Sequence, residues 1–193
     1  LASCRFHASP LLLLLAASFF YTKQRRTLFL FAAVTLFVLG WTLFAFKTTV
    51  DLRVPIGDSP YNIALFYVTN PIQFFAVVWR TLSNEVLQAF YWKSFLGILG
   101  PLDFPFKNWQ YILLTLILSI IVFLTVSVKR INKEWAQRLL LLMTCMFSML
   151  LIFFALLVTW SPHPAQIIDG IQGRYFLIPA MILAYSLSGN ASI

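Results

Sequence analysis

The sequence predicts an all-α fold: a polytopic transmembrane helix bundle with an interfacial amphipathic helix in a long external loop. Composition is the first reason, since 61% of the 193 residues are hydrophobic and 10% are charged. Soluble domains are typically about 45–50% apolar and about 25% charged, and a water-soluble surface needs more polar cover than this chain offers. Apolar runs near the roughly 20 residues that cross a hydrocarbon core are the second reason.

Five apolar runs are predicted as membrane helices, at residues 8–21, 27–46, 111–128, 139–160 and 175–193. Each run is apolar on all sides, which is typical of helices in lipid or in a bundle core. Helices are expected there because backbone polar groups in lipid must be satisfied within the segment. We expect residues 1–193 to form a single membrane domain, and the leucine at position 1 and the apolar run at the end indicate a fragment of a longer protein.

Two short basic loops set the predicted orientation, because Lys and Arg are enriched on the cytoplasmic side of membrane proteins. Their basic residues are Lys23, Arg25 and Arg26 in the first loop, and Lys129, Arg130, Lys133 and Arg138 in the second. The loop 47–110 then lies outside. This distribution of basic residues in short clusters explains the net charge of +8. The sequence has no basic stripe interleaved with aromatic residues, so we expect no nucleic-acid partner.

The external loop has a predicted turn region at residues 50–62, which contains two acids, two prolines and a glycine. It also contains the predicted interfacial helix, at about residues 71–92. Pro71 suits the first turn of a helix and Asn70 suits its cap. Apolar residues then recur at helical spacing, at Ile72, Phe75, Trp79, Leu82, Val86 and Ala89. This pattern indicates either a helix that lies in the membrane interface or a helix that packs on the membrane helices.

The same loop ends in the motif "SFLGILGPLDFPF", residues 94–106. Its glycines and prolines predict a bent backbone rather than a continued helix. Asp103 lies between apolar residues, where an ionised carboxylate is costly unless it is paired or wet. Asp103 therefore caps the turn, pairs with Lys107 or faces a substrate.

The second motif, "IDGIQGRYF" at residues 168–176, precedes the last apolar run. Arg174 carries a planar, permanently charged guanidinium that suits phosphate or carboxylate. Gly170 and Gly173 allow a close backbone approach, and Gln172 adds a donor and an acceptor. Two interpretations remain: a phosphate-recognition site, or a structural turn closed by an Asp169–Arg174 ion pair.

Together, "FLGILGPLDFPF" and "GIQGRYFLIP" resemble the bacterial multi-pass membrane family named domain of unknown function 2142. Its members carry a glycine-rich turn before one membrane helix and a "GvQGRYfiP" stretch before a later one, with similar spacing. The resemblance covers about the last two-thirds of the chain and implies the carboxy-terminal half of a full member. Pro101 stands where the family has tryptophan, and Phe106 stands where it has proline.

The resemblance implies a likeness to membrane glycosyltransferases that take sugar from a polyprenyl-phosphate carrier. The expected function is glycosyltransferase-like assembly of cell-surface polysaccharide in the bacterial inner membrane, with membrane lipid and a polyprenyl-phosphate-linked sugar as partners. The catalytic acid would precede this chain, and no metal or cofactor is expected. The predicted substrate-binding residues are Asp103, Asp169, Gly170, Gln172, Gly173 and Arg174.

A non-catalytic membrane subunit, scaffold or lipid carrier is the alternative function. An ion-coupled transporter is disfavoured, because such proteins place ionisable groups inside their membrane segments and the middles of the predicted segments contain none.

Overall fold

The computed structural model describes residues 25–48, 56–99, 104–126 and 135–188. Almost all regular structure in this part of the chain is helical. The helices are α1 (Arg25–Thr48), α2 (Pro60–Thr69), α3 (Pro71–Leu82), α4 (Glu85–Leu96), α5 (Asn108–Thr125), α6 (Trp135–Thr159), a 3₁₀-helix (Gly173–Phe176) and α7 (Leu177–Leu187). Two-residue strands, β1 (Ile98–Leu99) and β2 (Phe104–Pro105), pair antiparallel.

Two of the described helices, α5 and α6, are long and apolar enough to cross a membrane, as judged by length and composition. The pair α2 and α3 passes the same test together, although the two helices are bent by 101° at the break between them. The chain is thus an all-α membrane helix protein, which confirms the predicted fold class.

The predicted membrane segments coincide with helices wherever the structure describes them. Helix α1 covers the run 27–46, and α5 and α6 cover most of 111–128 and 139–160. Helix α5 begins earlier than predicted because the Gln110 side-chain oxygen accepts the Lys107 N–H at 2.8 Å, which caps the first turn. The last segment is a 3₁₀-helix followed by the 11-residue α7. The predicted segment 8–21 lies outside the described residues.

The predicted helix over 71–92 is wrong, because the structure has two helices, α3 and α4, with Ser83 and Asn84 between them. The Ser83 N–H donates to the Trp79 carbonyl, and the Asn84 N–H donates to the nearer Thr81 carbonyl, at 2.8 and 3.4 Å. Serine and asparagine favour such helix ends because their side chains compete for backbone hydrogen bonds.

Helix α2 was missed, because residues 50–62 were interpreted as a turn region. Pro60 occupies the first turn, and the Ser59 hydroxyl accepts the Asn62 N–H at 3.2 Å. The Asp58 carboxylate accepts hydrogen bonds from the Asn62 side chain at 2.9 Å and the Ser59 N–H at 2.6 Å. These bonds, first that from Asn62, hold the pKa of the exposed Asp58 carboxyl below its ordinary value.

The contacts of the described residues divide the chain into two compact units. The first comprises Leu1–Asn84 and Phe147–Ile171. Within it, the core includes Ile63, Leu157 and Val158, which are almost fully buried, and the ring of Phe74 meets that of Phe154 edge-on at 5.7 Å.

Helix α3 has one buried face and one exposed apolar face. Its buried residues are Phe74, Val77, Val78 and Thr81. The face with Ile72, Phe75, Trp79 and Leu82 is exposed, so the periodic apolar residues that defined the predicted interfacial helix do not pack inside the protein.

The second unit comprises Glu85–Met146 and Gln172–Ile193. Its hairpin is tied to α5 by Tyr111, whose hydroxyl donates to the Gly97 carbonyl at 3.0 Å and accepts the Phe106 N–H at 3.1 Å. A guanidinium nitrogen of Arg138, near the start of α6, donates to the Ser186 carbonyl in the last turn of α7 at 2.6 Å.

Candidate functional site

Arg174 lies in the second unit, in the 3₁₀-helix that leads directly into α7. Its side chain is exposed, and its guanidinium lies over the Tyr175 ring at 6.0 Å from the centroid. Glu85 is the one acidic residue described in this unit, and no ion pair joins Arg174 to a described residue of the unit. The exposed guanidinium therefore makes the local charge positive.

Gln172 precedes Arg174 in extended backbone, with φ −128° and ψ 138°. Its carbonyl oxygen accepts the Tyr175 N–H at 3.0 Å. Its side-chain oxygen is buried and accepts no hydrogen bond from the described residues. A buried acceptor without a donor is unfavourable by about 1–3 kcal/mol, so this oxygen would gain from a hydrogen-bond donor.

Gly173 is buried because it packs against α4, and this close packing requires glycine. A Cβ at this position would overlap the Tyr91 carbonyl oxygen and the Phe95 backbone nitrogen, so any side chain would push the segment off the helix. The Gly173 N–H donates to the Ser94 hydroxyl at 2.7 Å. This amide is thus bonded inside the protein, and a substrate-binding role for Gly173 stays a prediction.

Asp169 and Gly170 lie in the first unit. The Asp169 side chain is exposed, and its N–H donates to the Ser161 hydroxyl at 3.0 Å. Gly170 adopts a positive φ of 74°, and a Cβ there would overlap the Trp160 indole. Glycine is required for both reasons, and the backbone bends at this residue. An Asp169–Arg174 ion pair stays a prediction.

Asp103 lies outside the described residues, so its role stays a prediction. The structure does describe its surroundings, and the predicted bent backbone is a short hairpin. Gly97 enters this hairpin with a φ of 143°, and a Cβ at this position would press against the Phe106 ring.

Three buried hydroxyls were not singled out from the sequence: Thr81 and Ser161 in the first unit, and Ser94 in the second. We call them the hydroxyl anchors. Each accepts an N–H from the loop between α6 and α7, and each donates to a nearby helical carbonyl. The Thr81 hydroxyl, for example, accepts the Ile168 N–H at 2.9 Å and donates to the Val77 carbonyl at 2.8 Å. No local signal marks them in the sequence, because each has a polar residue within two positions: Arg80, Lys93 and Thr159.

His163 lies in the loop that follows α6. It is half-buried in the first unit, where its ring meets those of Phe66 and Tyr67 edge-on. The backbone N–H of His163 donates to the Ile56 carbonyl at 2.8 Å. His163 therefore packs into the unit. No group of three or more His, Cys, Asp or Glu side chains suited to a metal ion is found in the described part of the chain.

A comparison with known protein families shows which family the chain matches. Residues 2–183 match the family described as "Predicted membrane protein (DUF2142)". The chain belongs to this family. The match extends over almost the whole chain, beyond the last two-thirds expected from the two motifs. No curated protein and no solved structure matches the chain.

Membership in the DUF2142 family agrees with the apolar helices of the structure and identifies a membrane protein. Both quoted motifs fall inside the matched region. The hairpin motif is built around the Tyr111 hydroxyl, and the later motif is built on the hydroxyl anchors.

Proposed function

We propose that this protein is a multi-pass protein of the bacterial inner membrane that acts as a glycosyltransferase-like protein on lipid-linked sugar in cell-surface polysaccharide assembly. The donor would be a polyprenyl-phosphate-linked sugar, which combines an anionic phosphate with a long apolar tail. Family membership and the apolar helices support the membrane setting. The chemistry of the segment around Arg174 supports an anionic ligand.

The observation that carries the proposal is the neighbourhood of Gln172 and Arg174. A buried amide oxygen without a described donor lies one residue before Gly173, and the exposed guanidinium follows it. The buried amide oxygen can accept a hydrogen bond from a hydroxyl or an amine, and the guanidinium can bind an anion. A sugar phosphate supplies both groups in one molecule.

Each proposed binding residue then has a defined task. Arg174 binds the phosphate with two parallel N–H groups and stabilises its charge as the sugar leaves. Gln172 accepts a sugar hydroxyl. Gly170 and Gly173 shape the backbone through their close packing, while Asp169 and Asp103 remain proposed ligand contacts. The catalytic acid is assigned to no residue of this chain.

The alternative is a non-catalytic subunit, scaffold or lipid carrier of the cell envelope. The packing of the two glycines favours it, because close contacts with Trp160 and α4 explain both residues without any ligand. In that case the motif is a structural turn, and Arg174 contacts lipid headgroups through an extended side chain.

The testing experiment is mass spectrometry of the lipids that co-purify with the full-length protein in native lipid discs. Wild type is compared with Arg174→Ala, and Arg80→Ala is the matched control because Arg80 is another exposed arginine, on α3 in the first unit. We expect a polyprenyl-phosphate species in wild type and Arg80→Ala, and at least a tenfold loss of it in Arg174→Ala, which corresponds to about 1.4 kcal/mol.

The outcomes separate the two functions. Release of free polyprenyl phosphate during incubation with labelled polyprenyl-phosphate sugar and membrane acceptors supports a transferase. Retention of the lipid without release supports the carrier or subunit. Bulk phospholipid alone in all three samples contradicts the anion site.

A further inference from the structure

Helices α2 and α3 form a bent pair, which we call the helical corner, with Thr69, Asn70 and Pro71 at its break. We propose that the helical corner lies in the external leaflet of the membrane, with both of its ends open to the external side, and does not cross the bilayer. Its partner is therefore membrane lipid, in contact with the exposed apolar faces of both helices.

Length is the first argument. Helix α2 has 10 residues and α3 has 12, so they rise about 15 Å and about 18 Å. With a bend of 101°, the two ends of the pair are separated by about 20–25 Å. A hydrocarbon core is about 30 Å thick, so the bent pair is too short to cross it in any orientation.

The basic clusters give a second, independent argument. They place the residues before α1 and after α5 on the cytoplasmic side. In the predicted topology α1 crosses outward and α5 crosses inward, so the end of α1 and the start of α5 are both expected to be external. A single further crossing between them would break this agreement, whereas a corner that enters and leaves from one side preserves it.

Exposure identifies the surface that meets lipid. On α3, Ile72 is 82% exposed and Trp79 is 72% exposed; on α2, Val68 is 65% exposed. These fractions are those of surface side chains, yet the residues are large and apolar along both helices. A contiguous exposed apolar surface marks a contact with a protein, a ligand or a membrane, and the membrane setting of this chain selects lipid.

The backbone at the corner is suited to a place with little water. The Thr69 hydroxyl donates to the Leu65 and Phe66 carbonyls at 2.9 and 3.0 Å, and the Asn70 side chain donates to the Phe66 carbonyl at 3.0 Å. Pro71 has no N–H to satisfy. Side chains of the corner thus supply donors to the Leu65 and Phe66 carbonyls, which suits backbone with little access to water.

Polar residues define how deep the corner lies. Asn70 and Gln73 are exposed at and beside the break, and Asp58 and Arg80 are exposed near the two outer ends. A shallow position satisfies this pattern, because polar tips reach the headgroups while apolar stems contact acyl chains. The corner therefore occupies the outer part of one leaflet.

The test uses single cysteines in the full-length protein after Cys4→Ala and Cys145→Ala. Tyr61→Cys and Ser83→Cys report the two ends of the corner through a membrane-impermeant maleimide, applied to right-side-out and to inverted vesicles. Leu65→Cys and Phe75→Cys carry a nitroxide that measures access to oxygen and to a water-soluble nickel chelate. Ser119→Cys in α5 is the lipid-facing control, because it is exposed in a candidate span.

We expect both ends to react from the external side only. We also expect nitroxides at Leu65 and Phe75 to show an oxygen-to-nickel access ratio several-fold higher than a nitroxide at either end, and lower than that at Ser119, which lies near the middle of a candidate span. Reaction of Ser83→Cys from the cytoplasmic side alone would overturn the proposal in favour of a broken span. Free nickel access at Leu65 and Phe75, or protection from both probes, would overturn it in favour of a water-exposed or protein-covered corner.

Discussion

The helical corner and the loop between α6 and α7 both interrupt helical structure, but their backbone groups find hydrogen-bond partners in opposite ways. At the corner, Thr69 and Asn70 donate to carbonyls three or four residues earlier. In the loop, Ile168 donates to Thr81, which is 87 residues away along the chain. The corner is therefore a local structure, whereas the loop depends on helices formed by distant parts of the sequence.

This difference predicts that the loop is the more sensitive region. A local hydrogen bond can be replaced by a neighbouring donor or by water at an exposed site. A buried amide whose acceptor is removed has no such substitute, and the full desolvation penalty remains.

The largest expected effect is at Gly173. We expect Gly173→Ala to lower the free energy of unfolding by about 3 kcal/mol, because the added Cβ overlaps the backbone of α4. Gly40→Ala is the control, since nothing lies within 4 Å of a Cβ there and alanine favours a helix interior. Denaturant unfolding in detergent micelles measures both. Equal stability of the two variants would contradict the close packing of the loop.

Next is Thr81→Val, for which we expect a loss of about 2 kcal/mol because the buried Ile168 N–H loses its acceptor. Thr81→Ser should retain most of the stability. Thr125→Val is the matched control, because the exposed Thr125 hydroxyl bonds only carbonyls of its own helix. The same unfolding assay applies, and a Thr125→Val effect as large as that of Thr81→Val would refute the anchoring role.

The smallest effect is expected at the corner. Asn70→Ala removes the donor to the Phe66 carbonyl and should lower the free energy of unfolding by about 1 kcal/mol. Gln73→Ala, at an exposed position nearby, should change it less. If Asn70→Ala destabilises the protein more than Thr81→Val does, then the contrast between local and distant hydrogen bonds does not hold.

The same contrast explains what the sequence could predict. Apolar runs and proline positions are local signals, so α5, α6 and the start of α3 at Pro71 were found close to their observed positions. The break at Ser83 and Asn84 was missed because the apolar spacing continues across it. Helix α2 was missed because its start signals, Ser59 and Pro60, were interpreted as a turn.

For the candidate site, the motif indicated which residues lie on the loop, but it did not indicate which atoms remain available. Gly173 is a good example, because its N–H bonds Ser94, 79 residues earlier. Pairings of this kind depend on how helices pack, and a single sequence carries no periodicity that reports them. The exposed guanidinium of Arg174 and the buried oxygen of Gln172 could therefore be recognised only in the folded chain.

The hydrogen bond from Arg138 to the Ser186 carbonyl has a consequence for biogenesis. Arg138 is synthesised 48 residues before Ser186, so the donor is already in place when α7 leaves the ribosome. Helix α7 is short for a membrane segment, and the carbonyls of its last turn have no partner within their own helix. We therefore expect α7 to insert after α6 and to be held by the hydrogen bond to the Arg138 guanidinium. We do not expect α7 to partition into lipid independently.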